Sequence, residues 1–472
     1  MNSILLCFLA LASTFWAGRR SLGLGIAVLL AWGYTFGIVR ANLMTQACYF
    51  IFDAALLGLY VSQKWFDRGD AKRAGVLRTW LAILVIWPIL ILVLPFQPLL
   101  VSLVGLRGSI LFLPMLLLGS KMRSSDLRQL WIGLAVLNLV ALGFAVAEYL
   151  LGVPRFYPYN AATLIIYSSV DVAGGFYRIP AIFSNAHSFG GTMVASIPFL
   201  IGGWDEAKGK SRILALAGIV AAFFGVLMSA TRLNFIIGVA LLGAAMWNRS
   251  MKGSRRMVFV LLVGVLSVVA LRNERFQRFK SLSDTESVES RISGSVNRTF
   301  LEILLEYPMG NGLGGGGTSL PYFLEGQVRN PIGMENEYVR IMAEQGVIGL
   351  IAWAGFVLWF FSRLPIAFGG TSWVTSRKLV FSLSAFGLLA GLIGTGMLTA
   401  IPHTAMLLLG MGWTSLPMLN DPDKKRYFQQ NAARLRQVPA SVGSLAWNDN
   451  PRPGRVSGKT IMNPRGAEGA FE

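Results

Sequence analysis

The run QLWIGLAVLNLVALGFAVAEYL, residues 129–150, decides the fold class of this chain. Its length is close to what an α-helix needs to cross about 30 Å of hydrocarbon. The chain of 472 residues is 54% hydrophobic and only 14% charged, and it contains many runs of this kind. Such a composition is typical of an integral membrane protein. We therefore predict an all-α fold, a polytopic membrane bundle of about 12–13 transmembrane helices with a large, partly helical outer loop.

Thirteen apolar stretches predict the individual spans. They centre on residues 3–18, 22–39, 45–62, 80–97, 104–120, 129–150, 188–204, 213–230, 233–247, 257–271, 346–362, 379–399 and 403–418. The first stretch is followed, rather than preceded, by its basic residues Arg19 and Arg20. We therefore predict that it is a retained span and not a signal peptide.

The basic residues alternate from loop to loop. Of the 42 lysines and arginines, 29 lie in one set of loops and in the C-terminal tail. This set comprises Arg19, Arg20, residues 64–78, 121–128, 204–212, 248–256, 363–378 and the tail after Asn420. By the positive-inside rule these segments face the cytoplasm, and the loops at 153–187 and 272–345 lie outside. We expect a membrane domain at 1–420 and a cytoplasmic, disordered tail at 421–472.

Composition also excludes several classes of function. The formal charge of +19 could suggest nucleic acid, but we find no soluble domain that would present a basic face to it. Two cysteines, Cys7 and Cys48, both in apolar runs, are too few for a disulfide framework or a zinc site. With only two histidines and no P-loop, the sequence predicts neither a metal nor another cofactor.

Residues 291–350 form a long polar segment between apolar spans. Helical periodicity predicts an amphipathic helix over 291–307, which Pro308 ends. A glycine-rich turn follows at 310–317, where Gly312 and Gly314 can take positive φ and approach a ligand closely. A second helix is predicted to start near residue 335 and to continue without a break into the eleventh span.

The outer loops favour arginine strongly, with twelve arginines and one lysine, Lys280. A guanidinium group suits phosphate and keeps its charge in a dry site, so this cluster indicates an anionic ligand such as a pyrophosphate. Arg178 and Arg232 border apolar spans, and charges at that depth are functional candidates. A genome-wide preference for arginine, or contact with lipid headgroups, would explain the same pattern.

Several further polar residues admit both a chemical and a structural interpretation. Glu335 could accept a proton near the glycine turn, or it could simply favour the helix start. Glu337, Arg340 and Glu344 are spaced for ion pairs along a helix. His187 could belong to a site or be a hydrogen-bonded structural residue. Asp53 is expected to be a buried acid paired with a neighbour.

Four segments together resemble the bacterial O-antigen ligase and polymerase superfamily. They are RIPAIFSNAHSFGG (178–191), SATRLNF (229–235), PMGNGLGGGG (308–317) and ENEYVRIMAEQGVIGL (335–350). The resemblance extends over about residues 107–360. It implies a metal-independent, inverting transferase that moves a glycan from undecaprenyl pyrophosphate to an acceptor sugar hydroxyl at the outer face of the bacterial inner membrane. Arg178, Arg232 and Arg291 match arginines of that family, and the first two are expected near the pyrophosphate.

One position departs from the family pattern. Where the ligases place a histidine, this chain has Glu335, followed by Asn336 and Tyr338. The change favours a polymerase of surface or exported polysaccharide over a ligase. The expected catalytic residues are Glu335 and Arg291. The expected substrate-binding residues are Arg178, Arg232, His187, Gly312, Gly314, Asn336, Tyr338 and Arg340.

The expected partners follow from the same resemblance. They are the lipid-linked oligosaccharide donor, a glycan acceptor, the bilayer and proteins of polysaccharide export or chain-length control, without nucleic acid. An alternative remains open at this point. A transporter or flippase of an anionic lipid-linked glycan would use the same arginines for binding without bond chemistry. The internal repeats common in transporters are not evident in this sequence.

Overall fold

The computed structural model describes most of the membrane domain. The described residues are 2–65, 74–168, 177–247, 264, 299–317, 320–332, 336–369, 372–392, 394, 398 and 400–418. All regular secondary structure in these residues is helical, which confirms the predicted fold class. The predicted tail and, except for Gly264, the tenth predicted span at 257–271 lie outside the described residues.

The helices are numbered along the described part of the chain. The first eight are α1 (Asn2–Arg20), α2 (Leu22–Leu43), α3 (Ile51–Ser62), α4 (Gly75–Leu92), α5 (Leu99–Ile110), α6 (Met115–Lys121), α7 (Ser124–Leu151) and α8 (Leu164–Tyr167). The others are α9 (Ala186–Glu206), α10 (Lys210–Met228), α11 (Arg232–Trp247), α12 (Thr299–Glu306), α13 (Tyr322–Glu325), α14 (Glu337–Phe361), α15 (Leu364–Phe368), α16 (Val374–Ala390) and α17 (His403–Ser415). Two 3₁₀ turns occupy Gln46–Phe50 and Val153–Arg155.

Six helical segments in the described residues are long and apolar enough to cross a membrane. They are Leu22–Leu43, Gly75–Leu92, Leu99–Lys121, Ser124–Leu151, Lys210–Met228 and Glu337–Phe368. Two shorter apolar helical segments, Gln46–Ser62 and Arg232–Met246, accompany them. This set supports a multi-pass membrane protein. The span predicted at 104–120 differs in detail, because two helices, α5 and α6, share it.

The helix predicted to run unbroken into the eleventh span is in fact interrupted at Gly346. This residue has φ 68° and ψ −171°, so the prediction of a continuous helix was wrong. A Cβ atom at Gly346 would lie 2.6 Å from the carbonyl carbon of Met309. The Val347 nitrogen donates instead to the Pro308 carbonyl at 3.0 Å. The backbone at Pro308 and Met309 thus passes directly against the helix at Gly346, and only glycine allows this approach.

The early basic loops meet at one end of the bundle. The Gly23 nitrogen donates to Asp126 Oδ1 at 3.0 Å, and the Lys121 ammonium donates to the Lys64 carbonyl. These bonds connect the loop after α1 with the loops after α3 and α6. Segments that are far apart in the sequence and rich in positive charge therefore share one surface.

The later basic loops lie at the same end. A Cβ atom at Gly203, near the end of α9, would lie 2.4 Å from the ring of Trp131 in α7. A Cβ atom at Gly202 would lie 2.6 Å from Ser376 Cβ, near the start of α16. The end of α9 therefore lies beside the starts of α7 and α16. We name this surface the basic end; it comprises the described loops near residues 19–23, 63–65, 121–128, 204–212 and 363–376.

The opposite end gathers segments from the predicted outer loops. The Ile38 nitrogen donates to the Ile182 carbonyl at 3.1 Å. A Cβ atom at Gly191, near the start of α9, would lie 3.4 Å from Nδ1 of His403, the first residue of α17. Because α17 follows α16 in the chain, the start of α9 lies at the same end as the last turn of α16. The Glu337 nitrogen donates to the carbonyl of Gly391, just after α16, at 2.9 Å. We name this surface the site end; it comprises segments near residues 36–42, 152–168, 177–191, 229–234, 336–338 and 388–394.

Asp53 is paired with an arginine, as expected. Arg107 Nη2 donates to Asp53 Oδ1 at 2.9 Å, and Arg107 Nε donates to the other carboxylate oxygen. The same guanidinium reaches the Tyr49 carbonyl at 3.4 Å. The pair joins α5 to α3 within the bundle. Arg107 therefore has a structural partner and does not need a lipid headgroup to compensate its charge.

Candidate functional site

Arg178 and His187 contact each other at the site end. Arg178 Nη1 lies 2.8 Å from His187 Nε2. A guanidinium group can only donate hydrogen bonds, so His187 Nε2 accepts and the imidazole carries its proton on Nδ1. His187 is the second residue of α9, and the side chain of Asn185 caps that helix by accepting from the Ser188 nitrogen at 2.8 Å. Two of the predicted substrate-binding residues therefore form one pair.

The segment between Arg178 and α9 is held from two sides. Glu148 Oε2 accepts from the Ala181 nitrogen at 3.0 Å, and Ala181 takes a left-handed conformation with φ 52°. The Tyr157 hydroxyl lies 2.7 Å from the carbonyl oxygens of both Ala181 and Phe183. Burial raises the pKa of Tyr157 well above its usual range, so the phenol keeps the proton that it shares between them. Sequence reasoning missed both Glu148 and Tyr157.

A Tyr157→Phe variant tests this support of Arg178. We expect it to lower the free energy of unfolding by about 1–3 kcal/mol, because the substitution removes the donor for two buried carbonyl groups. We also expect transfer activity to fall, since the segment that carries Arg178 loses an anchor. Chemical unfolding in detergent and an activity assay would measure the two effects. Tyr322→Phe is the matched control, because it removes a tyrosine hydroxyl but keeps the ring that contacts Tyr49. An equal loss in both variants would contradict the anchoring role of Tyr157.

Arg232 follows a polar turn that packs on the start of α9. Thr231 Oγ1 lies 2.8 Å from Ser229 Oγ, and it accepts from Asn234 Nδ2 at 3.0 Å. The same Asn234 nitrogen lies 3.5 Å from the His187 carbonyl oxygen. The structure thus places the turn that carries Arg232 beside the start of α9, which carries His187. We name the group Arg178, His187, Thr231, Arg232 and Asn234 the arginine site.

The close packing of this turn depends on a glycine in α9. A Cβ atom at Gly190 would lie 2.5 Å from both Ser229 Oγ and Thr231 Oγ1. Any side chain at position 190 would therefore push the polar turn, and Arg232 with it, away from His187. This explains the glycine at position 190 of the segment 178–191.

Asn336 and Tyr338 lie at the start of α14, at the same end of the bundle. Asn336 Oδ1 accepts from the backbone nitrogens of Tyr338 and Val339, at 2.9 and 3.2 Å. Asn336 Nδ2 donates to the Leu392 carbonyl, and the Tyr338 hydroxyl donates to the Leu388 carbonyl at 2.8 Å. The residue that caps this helix is Asn336, and the helix starts at Glu337. Glu335, for which the sequence left open a role at the helix start, lies outside the described residues.

Arg340 lies in a buried triad with two acids. Its guanidinium is 2.6 Å from Glu337 Oε1 and 2.8 Å from Glu344 Oε2, which confirms the predicted ion pairs. The exposed fractions of Glu337, Arg340 and Glu344 are 0%, 2% and 0%. The Asn311 nitrogen, in the glycine turn, donates to the carbonyl of Ala343, which directly precedes Glu344, at 2.6 Å. The triad gives Arg340 a structural explanation, and its contact with substrate stays a prediction.

The glycine turn lies against protein on both sides. Gly312 and Gly314 have φ 87° and 80°, so the expected positive values are confirmed. A Cβ atom at Gly312 would lie 2.7 Å from Phe96 Cβ, and one at Gly314 would lie 2.8 Å from the Val101 carbonyl oxygen. The close approach that glycine allows here is to Phe96, in the connection between α4 and α5, and to Val101, in the first turn of α5. Binding of substrate by these two glycines stays a prediction.

Gln97 holds the glycine turn in place, and sequence reasoning missed it. Its Nε2 donates to the carbonyls of Asn311 and Arg329, both at 2.9 Å, and its Oε1 accepts from the Arg329 nitrogen at 2.8 Å. The prediction placed Gln97 at the end of a span, 80–97, whereas the helix ends at Leu92. The two prolines that flank Gln97, Pro95 and Pro98, were the available signal that this residue lies in a loop and not in the helix.

The structure therefore divides the predicted site residues into two groups at one end of the bundle. The first is the arginine site, and the second contains Asn336, Tyr338 and Arg340 with the glycine turn. Helix α16 connects them, because it packs against α9 and α11 and its last turn binds Tyr338. Glu335 and Arg291 lie outside the described residues.

Fixed guanidinium groups at this surface can bind a phosphorylated ligand and stabilise negative charge that develops on it. Within the described part of the chain, no group of three or more histidine, cysteine, aspartate or glutamate residues could hold a metal ion. The chemistry that these guanidinium groups offer is electrostatic.

Residues 217–354 match the family model described as O-antigen ligase. The match confirms the resemblance to the O-antigen ligase superfamily and supports a general role in joining lipid-linked glycans. It includes Arg232, Arg291 and Glu335, whereas Arg178 and His187 precede it. A comparison with curated proteins gave no significant match.

Proposed function

We propose, from the match of residues 217–354 to the O-antigen ligase family model, that the protein is an inverting, metal-independent glycan polymerase or ligase. It would transfer a glycan from undecaprenyl pyrophosphate to an acceptor sugar hydroxyl. The reaction would take place at the periplasmic face of the bacterial inner membrane, during synthesis of a surface or exported polysaccharide. The membrane domain at 1–420 would carry the activity, and the segment 421–472 would be a cytoplasmic tail.

The arginine site is the observation that supports this proposal most directly. It joins Arg178, His187 and the turn before Arg232 at the end of the bundle that is opposite the basic end. By the positive-inside rule, the basic end would face the cytoplasm and the arginine site would face the periplasm. A leaving pyrophosphate gains negative charge in the transition state, and preorganised guanidinium groups stabilise that charge without a metal.

Incubation of the purified protein with lipid-linked repeat units tests the function. The substrate would be extracted from source cells that lack this protein, and products would be separated by size. Longer glycan chains support the transferase. Repeat units that change membrane leaflet in proteoliposomes, but keep their length, would support the transporter alternative instead. For variants of Arg178, Arg155→Ala is a suitable control, because Arg155 is an exposed arginine of the same outer loop at 153–187.

Glu335→Gln tests the proposed general base. We expect transfer to fall by about 100-fold or more, because glutamine cannot accept the proton of the acceptor hydroxyl. The helix start should be preserved, since Asn336 supplies the cap. Steady-state rates and the unfolding temperature would be measured together. An unchanged rate would remove Glu335 from the mechanism but would leave the arginine site untouched.

A further inference from the structure

Three tyrosine rings form a row that reaches Arg178. The ring centroids of Tyr159 and Tyr167 are 4.9 Å apart at an interplanar angle of 71°, and those of Tyr167 and Tyr177 are 5.3 Å apart at 77°. Both contacts are edge-to-face, a favourable geometry for aromatic pairs. Tyr177 directly precedes Arg178 in the chain. We name Tyr159, Tyr167 and Tyr177 the tyrosine row.

The outermost ring is exposed on a well-ordered turn. Tyr159 is 71% exposed. The next residue, Asn160, accepts through Oδ1 from the nitrogens of Ala162 and Thr163, at 3.0 and 3.1 Å. Thr163 Oγ1 in turn donates to the Pro158 carbonyl at 2.7 Å. The backbone that presents the ring is therefore fixed before any ligand binds, which lowers the entropy lost on binding.

The middle ring is anchored as well. The Tyr167 hydroxyl donates to the Tyr157 carbonyl. Burial raises the pKa of Tyr167, so the phenol remains a donor at neutral pH. Tyr157 is itself bonded to the segment that carries Arg178, through Ala181 and Phe183. The row and the arginine site are thus parts of one hydrogen-bonded framework.

We propose that the tyrosine row is the subsite that binds the glycan of the lipid-linked donor, while the arginine site holds the pyrophosphate. A pyranose ring has an apolar C–H face and a polar hydroxyl edge. An exposed tyrosine offers a matching aromatic face, together with a hydroxyl group. The row starts at the residue before Arg178 and ends at the exposed Tyr159, so it offers a path for the sugars of a donor whose pyrophosphate lies at Arg178. This proposal rests on the proposed function.

The occupant is identified by the position and chemistry of the row. Contact with lipid headgroups would need only an exposed apolar or aromatic side chain at the bilayer surface. The tyrosine row instead starts at Tyr177, which directly precedes Arg178 in the chain. Hydrogen bonds fix the turn that presents Tyr159 and the hydroxyl of Tyr167. A ligand with linked anionic and sugar parts fits both features at once.

Binding of two lipids to the full-length protein would test the proposal. The probes are bare undecaprenyl pyrophosphate and the lipid-linked repeat unit extracted from source cells that lack this protein, measured by native mass spectrometry in detergent. We expect Tyr159→Ala to weaken binding of the repeat-unit lipid by about tenfold, in line with the strength of a single aromatic contact. Binding of the bare lipid should be unchanged. The Michaelis constant for the repeat-unit lipid should rise in parallel, with kcat little affected.

Two matched variants separate sugar stacking from other roles. Tyr159→Phe keeps the aromatic face and should retain most of the affinity. Tyr159→Leu keeps apolar area without an aromatic face and should behave like alanine. Unfolding temperatures near that of the wild type would show that each variant is folded, as expected for an exposed side chain.

The outcomes distinguish the subsite from the function on which it rests. Wild-type affinity of Tyr159→Ala for the repeat-unit lipid, or full retention by Tyr159→Leu, would overturn the glycan subsite and indicate headgroup contact only. An equal loss for both lipids would also overturn it. Failure of the wild-type protein to bind either lipid would instead contradict the proposed function itself.

Discussion

Replacement of Arg178 by alanine is expected to reduce glycan transfer by about 100- to 1000-fold, with the protein still folded. The guanidinium lies at the site end and donates to His187, so it is fixed before the substrate arrives. Its charge would then stabilise the departing pyrophosphate without reorganisation in the transition state. The measurement is the rate of chain extension by purified protein under single-turnover conditions.

Two controls make this prediction specific. Arg178→Lys keeps the charge but loses the planar donor fork, and we expect it to recover only part of the activity. Arg155→Ala removes an exposed arginine from the same outer loop and should leave the rate nearly unchanged. Wild-type transfer by Arg178→Ala would exclude this residue from the site. Equal losses in Arg178→Ala and Arg155→Ala would mean that only the net charge of the loop matters.

The second large effect is expected on stability, from Arg340→Met. This change leaves the carboxylates of Glu337 and Glu344 buried without their shared cation. Removal of one partner from a buried charge network typically destabilises a protein by about 3–5 kcal/mol. Since Asn311 of the glycine turn donates to the carbonyl of the neighbouring Ala343, the glycine turn should loosen as well. Unfolding in detergent, followed by tryptophan fluorescence, would measure the loss.

A triple variant serves as the matched control. Glu337→Gln, Arg340→Met and Glu344→Gln together remove every charge of the triad and should be much less destabilising than Arg340→Met alone. If the single and triple variants unfolded at the same denaturant concentration, the loss would arise from packing and not from uncompensated charge. A single variant as stable as the wild type would contradict the structural role of Arg340.

Local patterns predicted part of the site correctly. The spacing of Glu337, Arg340 and Glu344 gave the ion pairs, because residues three and four apart share a helix face. Positive φ at Gly312 and Gly314 followed from residue type alone. The match with the O-antigen ligase family likewise confirmed a resemblance carried by short motifs. Each of these inferences depends on residues that are close in the chain.

Local sequence patterns could not predict contacts between segments that are distant in the chain. Gln97 binds Asn311 and Arg329, which follow it by more than two hundred positions, so no local period reveals the bond. The arrangement also changed two helix boundaries. Asn336 caps α14 because its side chain accepts hydrogen bonds from the first turn of the helix. Gly346 interrupts the helix because the backbone at Pro308 and Met309 packs against it there.

The amino-acid sequence by itself determined the membrane class, the alternation of basic loops and the outer position expected for the arginines. These properties follow from composition and from distribution along the chain, and the bilayer acts on each segment separately. Only the tertiary structure decided that Arg107 neutralises Asp53, that Arg178 contacts His187, and that Tyr157 holds the segment between Arg178 and α9. Each such contact depends on how helices pack, because a buried polar group bonds to whichever partner the fold places within reach.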